Sequence, residues 1–299
     1  MTPAPAPGRP PSAVPTFPSA ATTVVGVIGD PIDHSLSPLL HNTAFAALGL
    51  DWVSVGFRVP DGSAAGALEG MRALGLAGLS VTMPHKTAVA ALVERTTAVA
   101  SSLRAVNCVL RRDGALVGDN TDGEGFIASL RRGAGFEPEG ARCLVAGGGG
   151  AARAVVLALA GSGAAEVVVV NRDPRRGAAA ADLAGTVGRV GRAEEAAGAA
   201  LVVNATPVGM SGTGAAGADP VIPASLVGPG QVAVDLVYHP LRTPWLVAAD
   251  ANGATVVSGL GMLVHQAAAQ VRRFTGEEPP VGAMWAAASQ AVSARLTDR

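Results

Sequence analysis

Residues 141–172 constrain the fold of this chain more than any other stretch. "ARCLVAG" reads as a buried strand, "AARAVVLALAGSG" as a helix and "EVVVVNR" as a second strand, which makes a βαβ unit. Between the first strand and the helix, Gly147, Gly149 and Ala152 form a G-x-G-x-x-A pattern that encloses Gly150 and Ala151. Glycines there let the backbone turn tightly and approach a pyrophosphate, which the helix N-terminus attracts. A chain with 39 glycines also produces such patterns by chance, so a plain glycine turn is the alternative. The flanking strand and helix favour a dinucleotide.

The second strand runs into "NRDPRRG". An acidic residue at this strand end accepts the adenosine ribose hydroxyls and selects NAD. Here Asn171 and Arg172 occupy the position, with Arg175 and Arg176 close behind. Guanidinium groups match the 2′-phosphate of NADP in geometry and charge. Asp173 works against this, either by serving a ribose diol or by repelling the phosphate, and a solvated basic loop is the bland reading.

The remainder has the same alternation. "TVVGVIG", "WVSVGFRV", "GLSVTM" and "RAVNCVL" read as strands, as do "ALVVNAT", "QVAVDLVY" and "ATVVSG". "SPLLHNTAFAALG", "AAGALEGMRALG" and the segments beyond about residue 260 read as helices. The expected fold is therefore α/β, with mostly parallel sheets covered by helices, and 299 residues suit two domains. A net charge of −1 gives no basic field for nucleic acid. No uninterrupted apolar run of ~20 residues suits a membrane span. The first 20 residues hold seven prolines and read as an extended tail without a signal-peptide core. Cys108 and Cys143 suggest no disulfide framework, which fits the cytoplasm, and the five histidines show no metal-ligand spacing.

Four features of the first half point to chemistry. In "GDPIDHSLSPLLHN", Ser37 followed by Pro38 marks a helix start, with Ser35 in the same loop. Two hydroxyls at a helix N-terminus suit a small carboxylate, and ordinary capping is the alternative. In "GDNTDGEGF", Asp122 caps the next helix or faces a cleft. Asn107 lies in an apolar strand, where its amide needs partners that a polyhydroxylated ligand would supply. Five of the six asparagines (42, 107, 120, 171 and 204) fall in these segments. Finally, Lys86 in "GLSVTMPHKTAV" is the only lysine among 22 basic side chains. Arginine replaces lysine easily on a solvated surface, but not where a titratable amine is needed. A surface lysine surviving by chance is the alternative.

Taken in order, GDPIDHSLSP, SVTMPHK, AVNC, GDNTDGEG, AGGGGAARA, NRDPRR, NATPVGM, DLVYHP and GLGMLVHQAA resemble the shikimate dehydrogenase family from about residue 24 to 276. The resemblance implies NADP-dependent reduction of 3-dehydroshikimate to shikimate, on the route through chorismate to aromatic amino acids. It also implies an N-terminal α/β substrate domain (22–123), completed by C-terminal helices (261–299), and a Rossmann-type NADP domain (124–260), behind a tail at 1–21. By resemblance, Ser35 and Ser37 hold the substrate carboxylate. Thr82, Asn107, Asp122, Tyr238 and Gln266 complete the substrate set, and Lys86 and Asp122 are the catalytic pair. Gly147, Gly149, Gly150, Ala151, Asn171, Arg172 and Arg176 match the cofactor site; Gly259 and Met262 match positions near the nicotinamide, and Thr206 falls in a block beside the cofactor. No metal is implied. Ser80, Cys108, Gly148 and Asp173 depart from the family pattern, the first two in the shell beneath the substrate.

The chemistry gives Lys86 a reason. Hydride arriving at a ketone carbon leaves negative charge on the oxygen, which an ammonium both stabilises and protonates. Arginine would surrender its proton too reluctantly. The first turn of a helix opened by Pro84 disfavours the added charge, and a nearby Asp122 favours it, so the two titrate as a coupled unit. Other readings are a quinate/shikimate dehydrogenase, an amino-shikimate dehydrogenase recognised through Ser80 and Cys108, or a non-catalytic dinucleotide-binding sensor. Ser37 and Arg172 point to the shikimate, NADP type, whereas loss of Lys86 or Asp122 would mark a sensor. A folate-linked dehydrogenase needs more aromatic surface than 3% of residues provide. The last helices carry apolar faces that suit either a monomer or a homodimer.

Overall fold

In the computed structural model, residues 17–211 and 218–297 are described; most of the expected tail lies outside them, at 1–16. The first half contains β1 (Thr23–Gly29), α1 (Ser37–Ala47), β2 (Trp52–Arg58), α2 (Ala64–Ala73), β3 (Gly78–Val81), α3 (Lys86–Leu92), β4 (Arg95–Thr96), α4 (Ala98–Leu103), β5 (Cys108–Arg112) and β6 (Ala115–Asp119). The strands form one sheet in the order β2-β1-β3-β5-β6-β4. Its pairs β2–β1, β1–β3 and β6–β4 are parallel, as the mostly parallel expectation has it, while β3–β5 and β5–β6 run antiparallel and make the sheet mixed. The cause is local. Asp113 and Gly114 both take positive φ (52° and 78°), the geometry of a two-residue hairpin turn, and such a turn can only join antiparallel neighbours.

Helix α5 (Asp122–Ala134) leads into the second sheet. There follow β7 (Arg142–Ala146), α6 (Gly150–Gly161), β8 (Glu166–Val170), α7 (Pro174–Ala181), β9 (Gly188–Val190), β10 (Leu201–Asn204), β11 (Val232–Asp235), α8 (Pro244–Ala251) and β12 (Thr255–Ser258). Their order is β12-β11-β10-β7-β8-β9, with every pair parallel. Helices cover both faces, so strands such as "EVVVV" are β-branched on both sides rather than alternating.

Helices α9 (Leu260–Thr275) and α10 (Val281–Thr297) return to the first sheet, as expected. Val264, Ala267, Val271, Met284 and Val292 share one core with Val25, Leu40, Phe45 and Cys108. Helix α9 also lies close against α5, because a Cβ on Gly125 would meet the Gln266 backbone at 2.5 Å. The expected division at 123/124 thus falls inside α5, the element that links the two sheets. Among the described residues, no helix is long and apolar enough to cross a membrane.

Candidate active site

Four segments meet at one edge of the first sheet. Strands β1 and β3 are parallel neighbours and end together, so the loops carrying Ser35, Ser37 and Thr82 leave from the same edge. Antiparallel β5 begins there with Asn107 just before it, and β6 ends there with Asp122 close behind. The Val81 N–H donates to the Asn107 carbonyl at 2.8 Å, and the Thr82 N–H to Ile28 at 2.9 Å, which pins the junction.

At this edge Lys86 Nζ donates to Asp122 Oδ2 at 2.6 Å. The lysine side chain is 27% exposed and the aspartate 9%, so the amine keeps an open side while its partner is enclosed. Helix α3 begins at Lys86, with His85 as N-cap and Pro84 just ahead. Asp122 is likewise the first residue of α5 and not its cap; Thr121 holds that position. Asn107 Nδ2 donates to the other carboxylate oxygen at 2.8 Å and to Thr121 Oγ1 at 3.0 Å, while its Oδ1 accepts the Thr121 N–H at 2.8 Å. The buried amide therefore has its partners within the protein. Asn120 Oδ1 accepts the Asp122 N–H at 3.1 Å.

Gln266 joins this group through neighbours that the sequence reading missed. The Thr121 hydroxyl donates to the Gln266 carbonyl at 3.1 Å. Gln270, one turn along α9, donates to Gln266 Oε1 at 3.2 Å and to the Asn107 carbonyl at 3.0 Å. Behind Gln270 lie His41 and Ser54, each at 3.1 Å in sequence. The i, i+4 spacing of Gln266 and Gln270 on one helix face was the available signal.

Ser37 corrects an expectation. Leu36 is the N-cap of α1 and Ser37 the first helical residue, with Pro38 next, so the Ser37 hydroxyl caps nothing. Its backbone N–H instead donates to Ser35 Oγ at 3.3 Å. The expected shell residues Ser80 and Cys108 are cross-strand partners. Cys108 is fully buried in the core beneath α1 and α9, where desolvation pushes its thiol well above the usual range.

The second sheet presents its own set along the carboxyl ends of parallel strands: Gly147 after β7, Asn171 after β8, Thr206 after β10, Tyr238 after β11 and Gly259 after β12. Strand order reverses between β7 and β10, and such a switch point is where open α/β sheets bind ligands. Gly147 takes φ 125°, and a Cβ there would lie 2.9 Å from the Ala205 carbonyl. Gly148 stands against Arg176, whose carbonyl a Cβ would meet at 2.9 Å, which explains the departure at this position. Gly149 is the N-cap of α6 with no side chain over the helix end; Gly150 and Ala151 form its first turn and Ala152 is buried beneath.

Asp173 serves as the N-cap of α7, its Oδ1 accepting the N–H groups of Arg175 at 2.9 Å and Arg176 at 3.3 Å. Asn171 donates to the Asp173 carbonyl at 2.8 Å. No ion pair engages Arg172, Arg175 or Arg176 among the described residues, and all three are exposed. An uncovered helix N-terminus, a glycine cradle that a Cβ would fill and three unpaired guanidiniums fit a dinucleotide carrying an extra phosphate. Thr206 donates to Asn204 Oδ1 at 2.6 Å, and Met262 packs on the second core. Tyr238 instead packs against the core of the first sheet, reaching from one half of the molecule to the other.

The family model described as the shikimate dehydrogenase substrate binding domain matches residues 27–109, and that of the shikimate 5′-dehydrogenase C-terminal domain matches 259–288. A shikimate dehydrogenase (NADP(+)) of Citrifermentans bemidjiense is 44% identical over 287 residues, covering 92% of this chain and 96% of the relative. The structure of shikimate 5-dehydrogenase from Thermus thermophilus, in complex with NADP(H) and shikimate, is similar at a TM-score of 0.83 and 39% identity, covering 90% of this chain and 100% of that one. Quinate dehydrogenase from Corynebacterium glutamicum, in complex with NAD, is similar at 0.81 and 31%, covering 89% and 98%. With the lysine–aspartate pair on one sheet and the glycine turn on the other, these likenesses place the chain in the shikimate dehydrogenase family.

Proposed function

We propose that the chain catalyses the reversible, NADP-dependent interconversion of 3-dehydroshikimate and shikimate in aromatic amino acid biosynthesis. The observation that carries this reading is the 2.6 Å Lys86–Asp122 pair at a sheet edge, in a chain of this family. Residues 22–123 with 261–299 form the substrate domain, and 124–260 the cofactor domain. Ser35 and Ser37 hold the substrate carboxylate; Thr82, Asn107, Asp122, Tyr238 and Gln266 meet its hydroxyls and ring. Gly147, Gly149, Gly150 and Ala151 receive the pyrophosphate, while Asn171, Arg172 and Arg176 take the adenosine end with its 2′-phosphate. Thr206, Gly259 and Met262 line the nicotinamide.

When bound, NADPH supplies the hydride. Lys86 holds an ammonium toward the substrate carbonyl oxygen, stabilises the charge that develops there and gives up its proton. Asp122 holds the lysine through its 2.6 Å hydrogen bond and is itself kept in place by Asn107. In the oxidative direction the neutral amine takes the proton back from the hydroxyl.

The arginines decide the cofactor. Asp173 is engaged in capping α7, which leaves Arg172 and Arg176 to meet a phosphate. Quinate oxidation is the second reading, favoured by the likeness to an NAD-bound quinate dehydrogenase. Initial rates with shikimate and with quinate, each offered with NADP and with NAD, separate the two. Turnover confined to shikimate and NADP supports the first; equal rates with quinate or NAD sink it. Cofactor binding with no turnover in any pairing favours a sensor or an amino-shikimate enzyme. Two free, buried thiols fit a cytoplasmic location, and the assembly is a monomer or a homodimer.

A further inference from the structure

Asp235 ends β11 with 0% of its surface exposed, and the chemistry proposed above makes no use of it. Its carboxylate accepts three hydrogen bonds. Asn204 Nδ2 and the Val237 N–H each reach Oδ1 at 3.0 Å, and Thr243 Oγ1 reaches Oδ2 at 2.6 Å. The donors come from the end of β10 and from the connection between β11 and α8, both at the carboxyl edge of the second sheet.

Asn204 passes the constraint to Thr206. With its amide turned to the carboxylate, its Oδ1 accepts both the Thr206 N–H (3.1 Å) and the Thr206 hydroxyl (2.6 Å). Val237 precedes Tyr238, and its carbonyl accepts the Gly259 N–H at 3.2 Å. Thr243 caps α8 by accepting the Leu246 N–H at 3.2 Å, and it backs Gly209, where a Cβ would lie 3.3 Å from its Cγ2. A carboxylate only accepts, so it dictates which way Asn204 and Thr243 point. Burial of such a group is costly, and desolvation pushes Asp235 up to about 6 against its three hydrogen bonds. An apolar residue would avoid that cost but leave the Asn204, Val237 and Thr243 donors without an acceptor, so the acid and its three donors act as one unit.

We propose that Asp235 is a positioning residue which, through Asn204, the Val237 backbone and Thr243, sets the segments carrying Thr206, Tyr238 and Gly259 around the cofactor and substrate. The ligands themselves rest on the function proposed above. The isosteric variant Asp235→Asn keeps one acceptor oxygen and turns an amide donor toward another donor, which releases the constraint at little change in volume.

The test is a double-mutant cycle on NADPH binding, read from nicotinamide fluorescence without substrate, using Asp235→Asn, Thr206→Ala and the double variant. Melting temperature is followed in parallel. Expected is about three- to tenfold weaker binding for Asp235→Asn, the scale of one misdirected hydrogen bond. This loss should be largely absent when Thr206→Ala is already present. In turnover, both KM for NADP and kcat should change, the latter through Tyr238. A variant that melts earlier but binds NADPH with unchanged affinity and turns over normally would overturn the proposal, as would strictly additive losses. If Asp235→Asn does not fold, Thr243→Val removes one donor together with the α8 cap and leaves β11 itself unchanged; it should weaken binding in the same direction, and unchanged binding counts against the proposal. Because binding is read without substrate, a chain that binds NADPH yet ignores shikimate would sink the activity reading while the binding cycle still decides this one.

Discussion

Lys86 Nζ and Asp122 Oδ2 lie 2.6 Å apart, each on the first residue of its helix, α3 and α5. Both side chains therefore leave the start of a helix and meet at the same sheet edge, the lysine with an open side and the aspartate enclosed. Asn107 holds the aspartate from its other oxygen, so the carboxylate is fixed from both sides.

Replacing Lys86 with Arg keeps the positive charge and removes the exchangeable proton. The expected result is a folded protein with kcat lowered by about 10² or more, the scale of general acid–base catalysis, in both reaction directions. A pH–rate profile checks it. Near-wild-type turnover across pH would remove the acid–base role from Lys86.

Asn107 is buried and feeds both Asp122 and Thr121. Asn107→Ala leaves the Thr121 N–H without its acceptor and the Asp122 carboxylate without one of its donors. The expected loss is about 1–3 kcal/mol of stability, measured by urea unfolding. A fall in kcat/KM for shikimate should accompany it. Wild-type kinetics in a destabilised protein would make Asn107 a core residue only.

Arg172 lies beyond β8 with no acidic partner among the described residues, beside an aspartate engaged in capping. Arg172→Ala should raise KM for NADP about tenfold, the scale of one charge-assisted hydrogen bond, and leave KM for NAD nearly unchanged. Steady-state kinetics with the two cofactors measure the ratio. Equal changes in both would move the phosphate contact away from Arg172.

Lys86, Asn107 and Asp122 were legible in the sequence because each is chemically out of place: the only lysine, an amide in an apolar strand, an acid at a glycine-flanked turn. The β7–α6–β8 unit was legible because Gly147 needs a positive φ and β8 is β-branched on both faces. The antiparallel β5–β6 hairpin was not read, although Asp113-Gly114 is the turn that makes it. The short β9, only Gly188–Val190, offers too few residues for any period to show. His41, Thr121, Gln270 and Asp235 look like ordinary helix or strand-end residues. Their roles come from partners far along the chain, as when His41 meets Gln270 across 229 residues.

That contact gives a prediction with a definite sign. Gln270 donates its amide to Asn107 and Gln266, so its oxygen accepts, and His41 Nε2 carries the hydrogen while Nδ1 accepts from Ser54. Burial lowers the His41 pKa to about 4, so the folded chain holds it neutral. Below pH 6.5 the unfolded chain takes up a proton that the folded chain refuses. His41 therefore lowers stability as pH falls from 6.5 to 4, by about 3 kcal/mol in all. Asp235 acts oppositely. Its folded pKa is raised from 3.8 to about 6, so the folded chain takes up a proton first and gains stability as pH falls between those values. Measured by urea midpoints from pH 7 to 4.5, His41→Gln should gain stability relative to wild type on acidification, and Asp235→Asn should lose it. Parallel profiles for the three proteins would show that neither group stays in its buried, shifted state.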